Sequence, residues 1–380
     1  MRYIIIFLVS ILYSQNSNYG GGPNTFYKNM YTAREVAMGS AGIASAEGYL
    51  ANIWNPACII DALENKNFIF GINFPPTDQI FSGIPFDADN PYNVSKKWGS
   101  TGVLNKKFFK NKQKVIYLGG SIIYQNYSDI WETRVNINNE IEPVGNFDLS
   151  QSLFLMSIAG KFDKLSIGIS SKVIYSDDLY SNSLSSRFGI DAGLVLSFPE
   201  PRFLPFIEKL KYGFVLKSDQ DKYNHQTTTG LGISAIGYWN DSFHQIFSFD
   251  IISGEFLVPE FHFGTDLKFL KNSIKSRKGP DGQFIWGPNK KGQYYYYLNP
   301  AHRENAVIVE KTYLPNLNLY AGINSTIDGI RSLNVGSGIN LPFGLELDLV
   351  YSHYFQNNII SQYYSLVNST LRITLQINLK

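Results

Sequence analysis

Residues 370–379 read Thr-Leu-Arg-Ile-Thr-Leu-Gln-Ile-Asn-Leu, and the fold of the chain turns on this strict alternation. Leu371, Ile373, Leu375, Ile377 and Leu379 share one face, while Thr370, Arg372, Thr374, Gln376 and Asn378 share the other. A period of two sends successive side chains to opposite sides, so the segment reads as a β-strand with one apolar face. The pattern recurs at 344–355, where Leu345, Leu347, Leu349 and Tyr351 oppose Glu346, Asp348 and Ser352. It recurs again where Phe188, Ile190, Ala192, Leu194 and Leu196 oppose Arg187, Gly189, Asp191 and Gly193. Residues 317–323 and 333–341 repeat it with Asn and Gly on the polar side. In a soluble sandwich the apolar face fills a core; in a membrane barrel it meets lipid and the small and polar residues face a lumen. One strand alone does not separate the two.

Composition does. Of 380 residues only 17% are charged and 15% are aromatic, with 32 Gly, 25 Tyr and 27 Phe. Soluble domains carry roughly 25% charged residues. Beyond residue 13 no apolar run approaches the ~20 residues of a membrane helix, and a mean hydropathy of −0.12 is too polar for a helical bundle. The expected fold is all-β, a transmembrane antiparallel β-barrel embedded in outer-membrane lipid of a Gram-negative cell. Residues 1–15 fit a secretory signal peptide: Arg2, then an apolar stretch from Tyr3 to Tyr13, then Ser14 and Gln15 as a cleavage site.

Other classes find no residues to support them. The net charge of +2 gives no nucleic-acid footprint. Cys58 is the only cysteine, and His225, His244, His262, His302 and His353 are scattered, so no metal site and no disulfide are expected. The sequence contains no Gly-x-Ser-x-Gly elbow, His-Glu-x-x-His pair or phosphate-binding loop, so no catalytic residues, enzymatic activity or cofactors are expected. Gly230 and Gly232 read as small positions on a lumen face.

Fourteen strands are expected, starting near 67, 98, 114, 151, 165, 187, 211, 228, 244, 261, 317, 331, 344 and 369. With the C-terminus in the periplasm, alternating direction puts the short connections at 162–164 and 341–344 there. The polar segments 74–97 and 125–150 then become outer loops. The barrel spans 66–380, with a long insertion at 271–316 that the same parity places in the periplasm. That insertion is rich in Lys, Pro and Gly and contains Tyr294 to Tyr297. It reads as a solvated excursion, as a partner-binding surface, or as the cover for one further strand at 304–313.

Residues 16–65 differ. The run from Phe26 to Ile60 lacks alternation and is rich in small residues, among them Ala37, Gly39, Ser40, Ala41, Gly42 and Ala44. Small side chains allow compact turns and close backbone approach, as a plug (hatch) inside a lumen requires. Within it, Ala33-Arg34-Glu35-Val36-Ala37-Met38-Gly39 is followed by Trp54-Asn55-Pro56-Ala57. This compound motif resembles the PorV/PorQ family of the FadL-like superfamily. Cys58 and Ser40 depart from it, both standing where relatives more often carry Gly.

The resemblance implies a fourteen-stranded barrel with an N-terminal hatch, and a role in type IX secretion. Such a component binds secreted cargo proteins through their C-terminal sorting domains and works with other secretion components. The wider superfamily implies instead passive transport of hydrophobic small molecules, and a structural or adhesin-like surface protein is the third reading. Ala33, Arg34, Ala37, Met38, Gly39, Trp54, Asn55, Pro56 and Ala57 are the candidate site residues. Arg34, the charge of the motif, is expected to pair with a lumen acid such as Asp191, Glu346 or Asp348. Trp54 and Pro56 are expected to wedge the plug against the wall.

Overall fold

The computed structural model describes residues 32–64, 66–73, 78–82, 92–109, 114–135, 141–177, 184–199, 207–220, 225–240, 243–254, 257–274, 285–288, 294–297, 308–309, 311–327, 329–354 and 369–379. The expected signal peptide lies outside them, as does the first part of the 16–65 segment.

The strands are β1 (Phe68–Asn73), β2 (Asp78–Ser82), β3 (Tyr92–Phe109), β4 (Lys114–Val135), β5 (Ile141–Phe162), β6 (Leu165–Asp177), β7 (Leu184–Pro199), β8 (Ile207–Gln220) and β9 (His225–Asn240). They continue as β10 (Phe243–Gly254), β11 (Leu257–Ile274), β12 (Ile285–Pro288), β13 (Tyr294–Tyr297), β14 (Ile308–Val309), β15 (Lys311–Thr326), β16 (Gly329–Asn340), β17 (Leu345–Tyr354) and β18 (Ser369–Leu379). Each barrel strand pairs antiparallel with its neighbours, and β1 pairs with both β3 and β18, which closes a ring of fourteen strands. The short β2 pairs with β3 at Asp78↔Lys96, further along from Asn73↔Ser100 of β1. It was not among the expected strands. Closure leaves no open edge, which is the condition for crossing hydrocarbon with strands. Among the described residues no helix is long and apolar enough to cross a membrane.

The faces are inverted relative to a soluble protein. On β18 Leu371, Ile373 and Leu375 are exposed while Arg372, Thr374 and Gln376 are buried. On β5 Phe154, Met156 and Ile158 point out and Leu155, Ser157 and Ala159 point in. An outer surface with this density of bare Ile, Leu and Phe is stable only against lipid.

Three expectations are corrected. The 74–97 segment, expected as a loop, holds β2 and the start of β3 at Tyr92. Residues 125–150 are largely ladder, not loop: β4 runs to Val135 and β5 starts at Ile141, with register shifts at Tyr127/Ile130 and Glu132/Thr133. Above the hydrocarbon neither face must be apolar, so pairing continues after the alternation fades. The insertion is shorter than 271–316, because β11 extends to Ile274 and β15 begins at Lys311. Inside it β12, β13 and β14 form a separate three-stranded sheet, so Ile308–Val309 joins that sheet and not the barrel. Following strand directions round the ring, the insertion leaves the barrel at the end where β18 finishes.

Candidate functional site: the N-terminal segment in the barrel

Residues 32–64 run inside the ring, nearly all of them buried. The segment begins with a short helix, Ala33–Ala37, anchored where the Ala33 N–H donates to Thr374 Oγ1 of β18 at 2.8 Å. It stops at once because Gly39 (φ 64°) and Ser40 (φ 67°) take left-handed backbone. Further turns follow at Ala51–Trp54, Pro56–Cys58 and Ile59–Ala62. Asn55 starts the Pro56 turn: its Oδ1 accepts from Ala57 N at 3.0 Å, and proline costs nothing at a first-turn position whose N–H has no partner. The Asn55 Nδ2 donates to Ile43 O at 2.9 Å and to the wall carbonyls Leu194 O and Phe214 O at 3.2 and 3.3 Å. One side chain thus caps a turn, ties it to an earlier loop and fixes both to β7 and β8.

The wall is shaped to receive this segment. Directly opposed glycines occur at Gly71↔Gly102, Gly168↔Gly193, Gly213↔Gly232 and Gly264↔Gly322. Each pair lies under one part of the segment. A Cβ at Gly71 or Gly102 would collide with the Tyr49 ring, and one at Gly168 or Gly193 with the Asn55–Ala57 turn. At Gly213 or Gly232 it would meet Ile43, and at Gly264 or Gly322 the Met38–Gly39 backbone. Ala37 lies over Gly336 in the same way. These inward glycines are a steric mould, since any side chain there must displace backbone.

Charge fixes the register of segment and wall. Arg34 is buried, and its Nε donates to Asp266 Oδ2 at 3.0 Å while Nη1 donates to Glu35 Oε1 at 3.1 Å and Ser45 O at 3.2 Å. Its Nη2 lies 3.0 Å from Asp266 Oδ2 and 3.7 Å from Glu47 Oε2. Glu47 in turn accepts from Lys268 Nζ at 2.6 Å. Burial alone would raise the Glu47 pKa, but Lys268, Arg34 and Lys211 hold it well below the usual carboxylate range. Lys211 and Lys209 of β8, at 3.0 and 3.3 Å, lower the Asp61 pKa against its burial. Asp250 of β10 accepts from two successive backbone amides, Gly42 N at 2.6 Å and Ile43 N at 2.8 Å.

Arg34 therefore pairs with Asp266 and not with the three acids expected from the sequence. Asp191 accepts from Lys172 at 2.6 Å, Asp348 from Tyr320 Oη at 2.8 Å, and Glu346 from Gln376 and Asn378. Pro56 does lie against the wall, at Gly168 and Gly193. The Trp54 indole covers Gly42 of its own segment and is buried in one apolar cluster with wall residues such as Ile123 and Leu153. Asp250, Asp266, Lys268, Lys211 and Tyr49 were not singled out in the sequence. Strand parity was the available signal for Asp266 and Lys268, which share the inner face of β11 with His262 and Gly264.

Against β4, β5 and β6 the segment meets both polar and aliphatic wall. Asn52 bonds Ser121 Oγ at 3.0 Å and Ser157 Oγ at 3.2 Å. Away from the C-terminal end of these contacts, Ile123, Leu153, Leu155 and Ile174 of β4, β5 and β6 are buried in one apolar cluster with Leu50, Ile53, Trp54 and Ile59 of the segment. Among the described residues no group of His, Cys, Asp and Glu is arranged to hold a metal ion.

A closed fourteen-stranded ring with an apolar belt and its N-terminal segment inside defines the class: an outer-membrane β-barrel. The chain is similar to the solved toluene transporter TbuX of Ralstonia pickettii, with a TM-score of 0.51 and 12% identity over 92% of this chain and 99% of that one. It is similar also to the toluene transporter TodX of Pseudomonas putida, with a TM-score of 0.50 and 10% identity over 91% and 96%. At these identities the likeness is one of fold. No model of a protein family matches the sequence, and no curated protein matches it either.

Proposed function

We propose that the chain carries hydrophobic solutes passively across the outer membrane, with residues 32–64 as the plug that closes the route. The observation that carries the reading is the aliphatic share of the inner wall, Ile123, Leu153, Leu155 and Ile174 with Leu104, Val195 and Val350, on which the segment's own Leu50, Ile53 and Ile59 are packed. When the segment leaves its seat that aliphatic surface is uncovered, and a solute leaving water gains by burying apolar area against it. The shared fold with TbuX and TodX supports the same reading, since both are toluene transporters.

The secretion reading rests on the Ala33–Ala57 motif. Those residues are buried and spend their contacts on the segment and the inner wall, out of reach of cargo at the surface. The surface-protein reading concerns loops outside the described residues. Soaking the full-length protein with toluene and with oleate tests the proposal by ligand density. Density against Leu153 and Ile174, with the segment displaced from them, is expected, and a lumen that takes up neither solute would refute it.

A further inference from the structure

We propose that the outer face of β10, β11 and β15 carries a binding site for one acyl chain of a membrane lipid, whose polar linkage is held by Gln245 and Thr265. The inference does not depend on the transport reading.

Ladder partners place the outward residues on a grid. Phe247 faces Thr265, and Thr265 faces Ala321; one level further from the C-terminal end, Phe249 faces Phe263, and Phe263 faces Ile323. Small residues at Thr265 and Ala321 therefore sit beneath a bulky row, and they leave a depression of about 470 Å³ in the belt. Clefts that hold small ligands run from roughly 300 to 1,000 Å³. The rings do not collapse into it: Phe249 and Phe263 pack on each other with centroids 4.6 Å apart, tilted by 34°. Both Phe247 and Phe263 remain half exposed.

The depression opens onto the surface that the surrounding exposed Ile, Leu and Phe side chains assign to hydrocarbon, so its ligand arrives from the bilayer. Polarity orients that ligand. Gln245 Nε2 donates to Thr265 Oγ1 at 3.1 Å, placing a polar pair at the rim nearer the C-terminal end. Polar groups facing hydrocarbon are costly and tend to mark function, and a hydroxyl that accepts one bond retains its proton to donate another. At that end of the belt lie outward aromatic pairs, Phe243 with Phe269 at 5.3 Å and Phe198 with Tyr212 at 6.0 Å. Lys164 stands 5.7 Å from the Phe198 ring centroid. Aromatic girdles with flanking Lys mark the membrane–water interface. Gln245 lies two residues inside this girdle, roughly 7 Å at a strand's rise per residue. That is the depth of the linkage between a lipid's head group and its chains, with the chain then running over Thr265 and Ala321 toward Phe263.

The test is native mass spectrometry of the full-length barrel in non-ionic detergent with added palmitoyl-oleoyl phosphatidylethanolamine. One retained lipid is expected on the wild type. Ala321→Phe, which fills the depression from the lipid side, should lower the retained fraction at least fivefold, and Gln245→Leu at least twofold. Ile190→Phe, outward on β7, should leave it unchanged. Thr265→Leu serves as a second filling variant should Ala321→Phe lose the folded barrel's gel mobility. Equal retention in the filling variants and in Ile190→Phe would overturn the site, as would binding of free toluene with no lipid retained.

Discussion

Gly264 and Gly322 face each other across the β11–β15 ladder, and together they leave the inner wall without a side chain where Met38 and Gly39 lie against it. A geometric constraint on the N-terminal segment is thus written in residues remote from it in sequence. Cys58, the chain's only cysteine, is buried with its Sγ 3.4 Å from Ile43 O. Burial also pushes its thiol pKa up, so its alkylation reports how often the segment leaves its seat.

Gly264→Val should expel the segment while leaving the barrel closed. A Cβ there meets Met38 backbone, which cannot rotate away, and overpacking costs about 1–3 kcal/mol. A rise of roughly 100-fold in maleimide labelling of Cys58 is expected at the upper end, at 1.4 kcal/mol per decade. Gly120→Val, at an open outward position, is the control. Equal labelling of the two variants would contradict the mould.

Arg34→Ala should weaken docking by about 3 kcal/mol, because it leaves the buried Glu35 without its cation and Asp266 with Lys268 alone, 3.8 Å away. Arg34→Lys should recover only part of this, since an ammonium cannot reproduce the guanidinium fork. Protease protection of the segment measures it, and full protection in Arg34→Ala would show the ion pairs to be incidental.

Ser40→Gly should stabilise the seated segment by about 1 kcal/mol, since a side chain in left-handed backbone is strained by roughly that amount. The Ser40 carbonyl still accepts from His262 Nδ1 at 2.8 Å in this variant, so the comparison isolates backbone strain. Slower Cys58 labelling than in the wild type is the expected readout. Faster labelling would mean that the hydroxyl, not the backbone, matters.

Acid should release the segment only well below pH 4. Glu47 and Asp61 are held below their ordinary values of 4.5 and 3.8, so they favour the seated form more as anions than as acids. Their contribution is present above the ordinary values and is lost as pH falls through the lowered ones. Protease protection across a pH series should hold at pH 5. Loss of protection already between pH 6 and 5 would point to other groups.

Much of the fold was legible because lipid imposes a period of two on whatever it touches. Leu371 to Leu379 and Leu345 to Tyr351 could be assigned from alternation alone. Where strands leave the hydrocarbon that constraint ends, which is why the ladder of β4 and β5 within 125–150 went unannounced and β2 was missed. The small residues of 37–48 signalled close packing, and the Asn55–Pro56–Ala57 turn explains why those residue types stand together. The partner of Arg34 was not legible. Parity puts Asp191, Asp250, Asp266 and Asp348 all on inner faces, and no sequence pattern sets the height of the segment against the wall.

The most direct test of the account is the initial rate at which labelled toluene and labelled oleate enter cells that lack the protein, carry it, or carry it with Leu153→Asp and Ile174→Asp on the inner patch. The transport account expects faster entry of at least one solute with the wild type, and loss of that gain with the substituted patch although Cys58 stays protected. Entry rates equal in all three strains for both solutes would contradict it.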